Sequence, residues 1–305
     1  MKLYYADTFV LPLPPGHRFP MCKYAMLRES IAASGRFADD DLRVPDAAGD
    51  AELALAHDRA YIDRMSAGEM SAQEMRRIGF PWSAQMVERS RRSAGATIAA
   101  CRSALDDGFA ANLAGGTHHA HRDFGAGFCV FNDAAIASRL MLEEGRVGQV
   151  AIIDCDVHQG DGTAAILADD PRVFTFSIHG AHNFPFDKQK SDLDLELEDG
   201  TGDAHYLEVL ARGLDQVFAR CVPELVIYLA GADPYEGDRL GRLGLTVDGL
   251  QARDRLVLGR CADEGAVVAV AMAGGYARDI ARTVEIHANT VLAAASLARR
   301  SPAAR

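Results

Sequence analysis

The sequence predicts an α/β protein. One domain spanning residues 1–305 is expected, three layers deep (α/β/α), with a central, mostly parallel sheet. Two patterns lead there. Short β-rich apolar runs recur at Lys2–Tyr5, Gly108–Leu113, Gln149–Asp154, Arg172–Ile178, Glu224–Ala230 and Ala266–Met272. Stretches of helical periodicity separate most of them, clearest at Ser83–Leu105, Asn132–Glu144, Ala204–Arg220, Asp248–Ala262 and Arg278–Ala298. Strands that alternate with helices pair in parallel and are covered on both faces. The strand cores "VAII" and "VVAVAM" are apolar at successive positions, as burial on both sides requires. No internal repeat or low-complexity linker divides the chain.

Composition narrows the function classes. An apolar share of 49% and a charged share of 25% are those of an ordinary globular protein. No apolar run reaches the roughly 18 residues of a membrane span. The opening "MKLYYADTFVLPLPPGHRF" has no basic segment followed by an apolar one, so no secretory signal is read and a cytoplasmic protein is expected. The six cysteines show no C-x-x-C spacing and are read as reduced, mostly buried thiols. A net charge of −11 argues against binding a phosphate backbone, so no direct nucleic-acid contact is expected. It mildly favours a cationic substrate through steering, although solubility explains it as well.

Ligands of open parallel sheets bind beyond the carboxyl ends of the strands. Four predicted strands here end in reactive residues. "AANLAGG" leads to His118 and His119, and "VAIIDCD" to His158. "LVIYLAGA" leads to Asp233, and "VVAVAMAGG" to Tyr276. Asp154, Asp156 and His158 alternate along an extended segment and so share a face, with Cys155 and Val157 on the other. Carboxylates in a dry site cost several kcal/mol unless paired or bound to a cation. One imidazole and two carboxylates with an open position suit a catalytic Zn²⁺ or similar divalent ion, and Asp233 is the natural second carboxylate. D-x-H alone is a weak motif, and a hydrogen-bonded strand end is the plain alternative. Neighbours on a non-helical segment diverge, so His118 and His119 are not expected to bind one metal. They suit acid–base work on a metal-bound water, with Asp154 and Asp161 as partners for their far nitrogens. His121 is read as a loop histidine. The two glycines before Tyr276 would leave its hydroxyl free to stabilise an oxyanion, or its ring to pack.

"GGTHHAHRDFGAGFCVFND", "IIDCDVHQGDGT", "FSIHGAHNFPF", "LAGADPYEGDRLGRLGLT" and "MAGGY" resemble, in order and spacing, the zinc-dependent histone deacetylase branch of the arginase–deacetylase fold. "HRFPMCKYAML" is similar to the opening of class IV deacetylases and their bacterial homologues. The resemblance implies Asp156, His158 and Asp233 as zinc ligands, with Fe²⁺ or another divalent ion as the alternative in vivo. It implies His118 paired with Asp154, His119 with Asp161, and Tyr276 as the catalytic tyrosine. The family often has Asn where this chain has Asp161, and a carboxylate there should raise the pKa of His119. A structural K⁺ is implied at Asp154 and the backbone around Asp156, His158, Ser177 and Ile178. Gly127 and Phe128, with Phe184 opposite, would line an acyl-lysine tunnel, Leu240 would floor an acid-release cavity, and Arg18 would guard it.

The expected activity is hydrolytic removal of an acetyl or longer acyl group from acyl-lysine in proteins or peptides. His119 takes the proton of the attacking water, and His119 or His118 protonates the leaving amine. An acetylpolyamine or another small amide is the alternative substrate. An arginase-like di-manganese enzyme is disfavoured, because Pro234 and Tyr235 follow Asp233 where that branch carries a second ligand. An inactive acyl-lysine-binding module is the remaining rival, although every catalytic position has the expected residue type. With no obvious inserted segment, a monomer with an open rim is expected, and a dimer is the alternative.

Overall fold

A computed structural model describes residues 1–298. Eight strands form one open sheet: β1 (Leu3–Tyr4), β2 (Leu42–Arg43), β3 (Phe109–Asn112), β4 (Val150–Asp154), β5 (Val173–Gly180), β6 (Leu193–Leu197), β7 (Leu225–Leu229) and β8 (Val267–Ala271). Their order is β2-β1-β3-β8-β7-β4-β5-β6. Every strand pairing is parallel, so the sheet is more uniform than "mostly parallel". The six predicted strands are present. The two extra ones, β2 and β6, lie at the sheet's edges. β2 has only two residues, and β6 reads "LDLEL", an alternation rather than an apolar run.

The strands carry an apolar cluster on each face. Val150 and Ile152 of β4 belong to one, and Ala151 and Ile153 to the other. Helices α5 (Ala84–Asp107), α6 (Asp133–Glu143) and α7 (Asp161–Leu167) cover the first face. On the second lie α1 (Cys22–Ala33), α8 (Asp203–Arg220), α9 (Val247–Asp263) and α10 (Ile280–Ala298). Three short helices, α2 (Asp50–Leu53), α3 (Arg59–Ala67) and α4 (Ala72–Ile78), precede α5. Local chemistry sets several helix starts. Ser83, Asn132 and Thr246 accept the backbone N–H of Met86, Ala135 and Gly249, capping α5, α6 and α9. Five cysteines are buried, Cys22 is exposed, and all six are free. Among the described residues, no helix is long and apolar enough to cross a membrane.

Strands β3, β8, β7 and β4 are adjacent in the sheet. They are the four whose carboxyl ends lead to His118, Tyr276, Asp233 and Asp154, so the topology brings those segments to one edge.

Candidate active site

Asp156, His158 and Asp233 each offer one ligand atom, and these atoms lie within 4.8 Å of one another. They form the one such group among the described residues, so a second metal cluster of arginase type is not found there. All three residues are buried. The alternation of β4 persists past its end: Cys155 and Val157 enter the second core cluster while Asp156 and His158 face the other way. His158 Nδ1 stands 2.9 Å from Asp156 Oδ1 and 3.2 Å from Asp233 Oδ2. Ligands about 2.0–2.1 Å from a tetrahedral ion stand about 3.3 Å apart, so this spacing fits a single small cation.

The rest of each carboxylate is fixed by backbone. Asp233 Oδ1 accepts the Val157 N–H at 2.9 Å, and Asp156 Oδ2 accepts the Gly274 N–H at 2.7 Å. Asp233 Oδ2 has no hydrogen bond although fully buried, its approach to His158 being poorly aligned. An orphaned buried carboxylate oxygen is costly, and a bound cation relieves it. Gly274 allows this packing, because a Cβ there would sit 1.9 Å from Asp233 Oδ2. Burial and the Asp156 charge push Asp233 up to about 7. Burial alone would lower His158, but its contacts with Asp156 and Asp233 push it up to about 10.

His118 and His119 both enter the same pocket, with ring centroids 4.2 Å apart, so the expected divergence does not occur. Neither belongs to the metal-binding group. His118 Nδ1 is 2.6 Å from Asp154 Oδ2, and His119 Nδ1 is 2.6 Å from Asp161 Oδ1. Asp133, the first residue of α6, fixes the preceding loop by accepting the Gly116 and Thr117 N–H groups at 3.0 and 2.7 Å. The two imidazoles titrate in opposite directions. Burial opposes protonation of His118, yet Asp154 and Asp156 push it up to about 9. Burial and the His118 charge push His119 down to about 4, against the pull of Asp161. Asp161 does raise His119, as expected of a carboxylate there, but burial and the His118 charge outweigh it. Asp161 is shared with His121, whose Nε2 lies 3.1 Å from Oδ2. His121 is thus part of the arrangement and not a bystander.

Tyr276 is buried beside the metal-binding group, its ring flanked by Phe19 and Phe128. Burial, then Asp233 and Asp156, push its phenol well above the usual range, so the hydroxyl stays protonated as a donor. Among the described residues that hydroxyl has no hydrogen-bond partner. Its backbone is tied down: Asp238 accepts the Tyr276 N–H at 2.6 Å, and Arg239 Nε donates to the Tyr276 carbonyl at 2.9 Å.

One pocket of about 520 Å³ joins these groups. Gly127, Phe128, Phe184, Leu240 and Arg18 all line it, together with His118, His119, Asp156, His158, Asp233 and Tyr276. Gly127 has φ +54°, and a Cβ there would meet His119 Cδ2 at 2.5 Å, so glycine is needed for the close approach. Phe184 meets the His119 ring edge-on at 4.8 Å. Asp154 and Asp161 sit behind their histidines and are not lining residues.

Sequence reasoning missed several supports. Lys23 is buried, donates to the Gly275 carbonyl at 3.2 Å, and stands 5.0 Å from the Tyr276 ring centre. Arg253 on α9 is buried and donates to the carbonyls of Cys155 and Gly231 at 3.2 and 2.5 Å, joining the loops that carry Asp156 and His158 on one side and Asp233 on the other. Asp238 holds the Tyr276, Leu240 and Gly241 amides. Asp238, an acid inside "DPYEGDRLG", and Lys23, inside "HRFPMCKYAML", lie in segments that motif reading singled out, whereas Arg253 does not.

Comparison with known proteins agrees with this geometry. The family described as "Histone deacetylase domain" matches residues 17–291. An uncharacterized protein of Picosynechococcus sp. is 44% identical over 283 residues, 93% of this chain and 94% of its own length. Histone deacetylase 2 of Arabidopsis thaliana is 30% identical over 278 residues, 88% of this chain and 72% of its own. The crystal structure of a histone deacetylase homologue from Aquifex aeolicus superposes with a TM-score of 0.82 at 24% identity, covering 96% of this chain and 82% of that one. The fold is that of the arginase–deacetylase proteins.

Proposed function

The chain belongs to the histone deacetylase family and is a deacetylase-type hydrolase, and we propose on that premise that it removes acyl groups from acyl-lysine in proteins or peptides with one catalytic Zn²⁺. The observation that carries this reading is the convergence of a cation-sized Asp156–His158–Asp233 cluster, two imidazoles backed by carboxylates and the Tyr276 phenol in one pocket. Asp156, His158 and Asp233 would hold the ion. When bound, it supplies Lewis acidity toward the amide carbonyl and acidifies water.

The remaining steps belong to side chains of this chain. His119, oriented by Asp161, takes the proton of the attacking water. His118, oriented by Asp154, or His119 returning that proton, protonates the leaving amine. The Tyr276 hydroxyl donates to the tetrahedral oxyanion. Gly127, Phe128 and Phe184 enclose the stem of the acylated side chain and exclude water, with Leu240 and Arg18 at the cavity for the released acid. By the family resemblance, Asp154 and the neighbouring backbone take a structural K⁺. A cytoplasmic monomer remains the expected context.

A panel of acetyl-, myristoyl- and trifluoroacetyl-lysine peptides and N-acetylputrescine, run with zinc-loaded protein, tests the reading. Release of the acyl group from at least one lysine peptide and not from N-acetylputrescine is expected. Turnover of N-acetylputrescine alone would move the assignment to polyamines. Hydroxamate binding with no turnover of any substrate would make the chain a binding module.

A further inference from the structure

The charge at the pocket mouth is opposite to that of the protein. The chain carries 43 Asp and Glu against 32 Lys and Arg. Yet the carboxylates lining the pocket are Asp156 and Asp233, both spent on the metal-binding group at its floor. Every other fully charged lining side chain is an arginine: Arg18, Arg76, Arg77 and Arg242. All four are exposed. Arg242 is neutralised by Asp199, 3.2 Å away, which also pairs with His182. The other three have no carboxylate partner among the described residues. Arg77 lies over the Phe124 ring at 4.6 Å, which holds its guanidinium in place and leaves its charge unbalanced. Arg76 and Arg77 end α4, and Arg18 stands in the loop before α1, so separate parts of the chain bring cations to one rim.

Unpaired charges that converge on a mouth act on whatever flanks the group entering it. At about 0.1 M salt their reach is about 10 Å, enough to span the residues on either side of an inserted side chain. Rim charges mainly alter encounter and discriminate between partners by like-charge repulsion. A polyamine or a lysine-rich tail would bring its own cations against this rim. An acidic peptide would supply the carboxylates that the arginines lack, in the bidentate geometry guanidinium favours.

We propose that the arginine rim selects acyl-lysine carried in acidic polypeptide and turns away polycationic substrates. This rests on the deacylase reading above and names its substrate class. It also reverses the direction that net charge alone suggests.

The test uses zinc-loaded full-length protein and three peptides of equal length, each with one acyl-lysine, flanked by acidic, neutral or basic residues. At 50 mM salt, kcat/KM is expected to be at least tenfold higher for the acidic than for the basic peptide, mostly through KM. The ratio should shrink several-fold in 0.5 M NaCl. In the R76E/R77E double variant, whose replaced side chains are exposed, it should fall to one or below. Equal kcat/KM across the three peptides, or a ratio untouched by the double variant, overturns the proposal. Should no peptide be turned over, the deacylase reading falls and the rim is read by fluorescence anisotropy of the same labelled peptides. Tighter binding of the acidic one then upholds the rim's selectivity, and equal binding removes it.

Discussion

The floor and the rim of the pocket are built on different principles. The floor gathers carboxylates and imidazoles, all buried, each with a short contact to a neighbour or a backbone amide. The rim gathers exposed arginines, three of them without a carboxylate partner among the described residues, and the exposed rings of Phe184 and Phe186. Floor groups are held by the ends of adjacent parallel strands, the stiffest part of the fold. Rim groups hang from loops and the last turn of a short helix. Chemistry would therefore sit where positions are over-determined, and the proposed substrate selection on exposed groups held by fewer contacts.

The sharpest way to break this contrast is to remove a floor ligand. Asp233→Ala should lower bound zinc from about one per chain to near zero and take activity below detection, because His158 and Asp156 alone leave an incomplete set. The fold should survive at some cost, since the orphaned Oδ2 goes but the Val157 N–H loses its acceptor. Metal content by mass spectrometry with circular dichroism checks both. A variant that keeps its zinc would mean that the ion is held elsewhere.

Tyr276→Phe comes next. Losing one oxyanion donor typically costs about 10²–10³ in turnover. The variant should show that loss in kcat with zinc still bound, because the phenol ring keeps its packing against Phe19 and Phe128. Full activity in a folded variant would show that the hydroxyl donates nothing to the reaction.

The same contrast explains what the sequence revealed. Floor residues sit in contiguous segments: "IIDCDVHQGD" contains a strand, two metal-binding side chains and the partners of both histidines, so period-two alternation could be read directly. Four of these segments follow strands with strong apolar runs, which also fixed the sheet. Lys23, Arg253 and the rim arginines carry no such signal. Their side-chain type and local spacing do not tell what they face, which is set by residues tens to hundreds of positions away, as with Lys23 and the Gly275 carbonyl. Short elements failed for a related reason. β2 is stabilised by its register with β1 and not by its own two residues. Net charge carries no positional information: a total of −11 does not reveal that the lining side chains at the mouth include four arginines.

Between floor and rim stands Asp161, which serves two histidines. Asp161→Asn keeps the shape but removes the charge that favours protonated His119. The amide oxygen of Asn can still accept the Nδ1 proton, so the loss at the optimum should stay below about tenfold. The sign of the pH effect is fixed. Asp161 raises the His119 pKa against burial, so the variant's base should titrate lower and the acid limb of kcat/KM should move to lower pH. An acid limb that moves upward would show that another group sets it.

The smallest effect belongs to the rim. Phe186 is 80% exposed, so its removal costs the free protein little packing and its ring can be covered only by a bound partner. At about 25 cal/mol per Å², even one-third of an aromatic side chain covered by a bound peptide gives about 1–2 kcal/mol, or about 5- to 30-fold in KM. Phe186→Ser should stay at or below the lower figure, with kcat unchanged, because nothing at the floor depends on it. Its contact with Phe184 is a single edge-on ring pair at 6.4 Å. If kcat falls with KM, that pair transmits rim geometry through Phe184 to the His119 ring, and the division between floor and rim is less complete than the packing indicates.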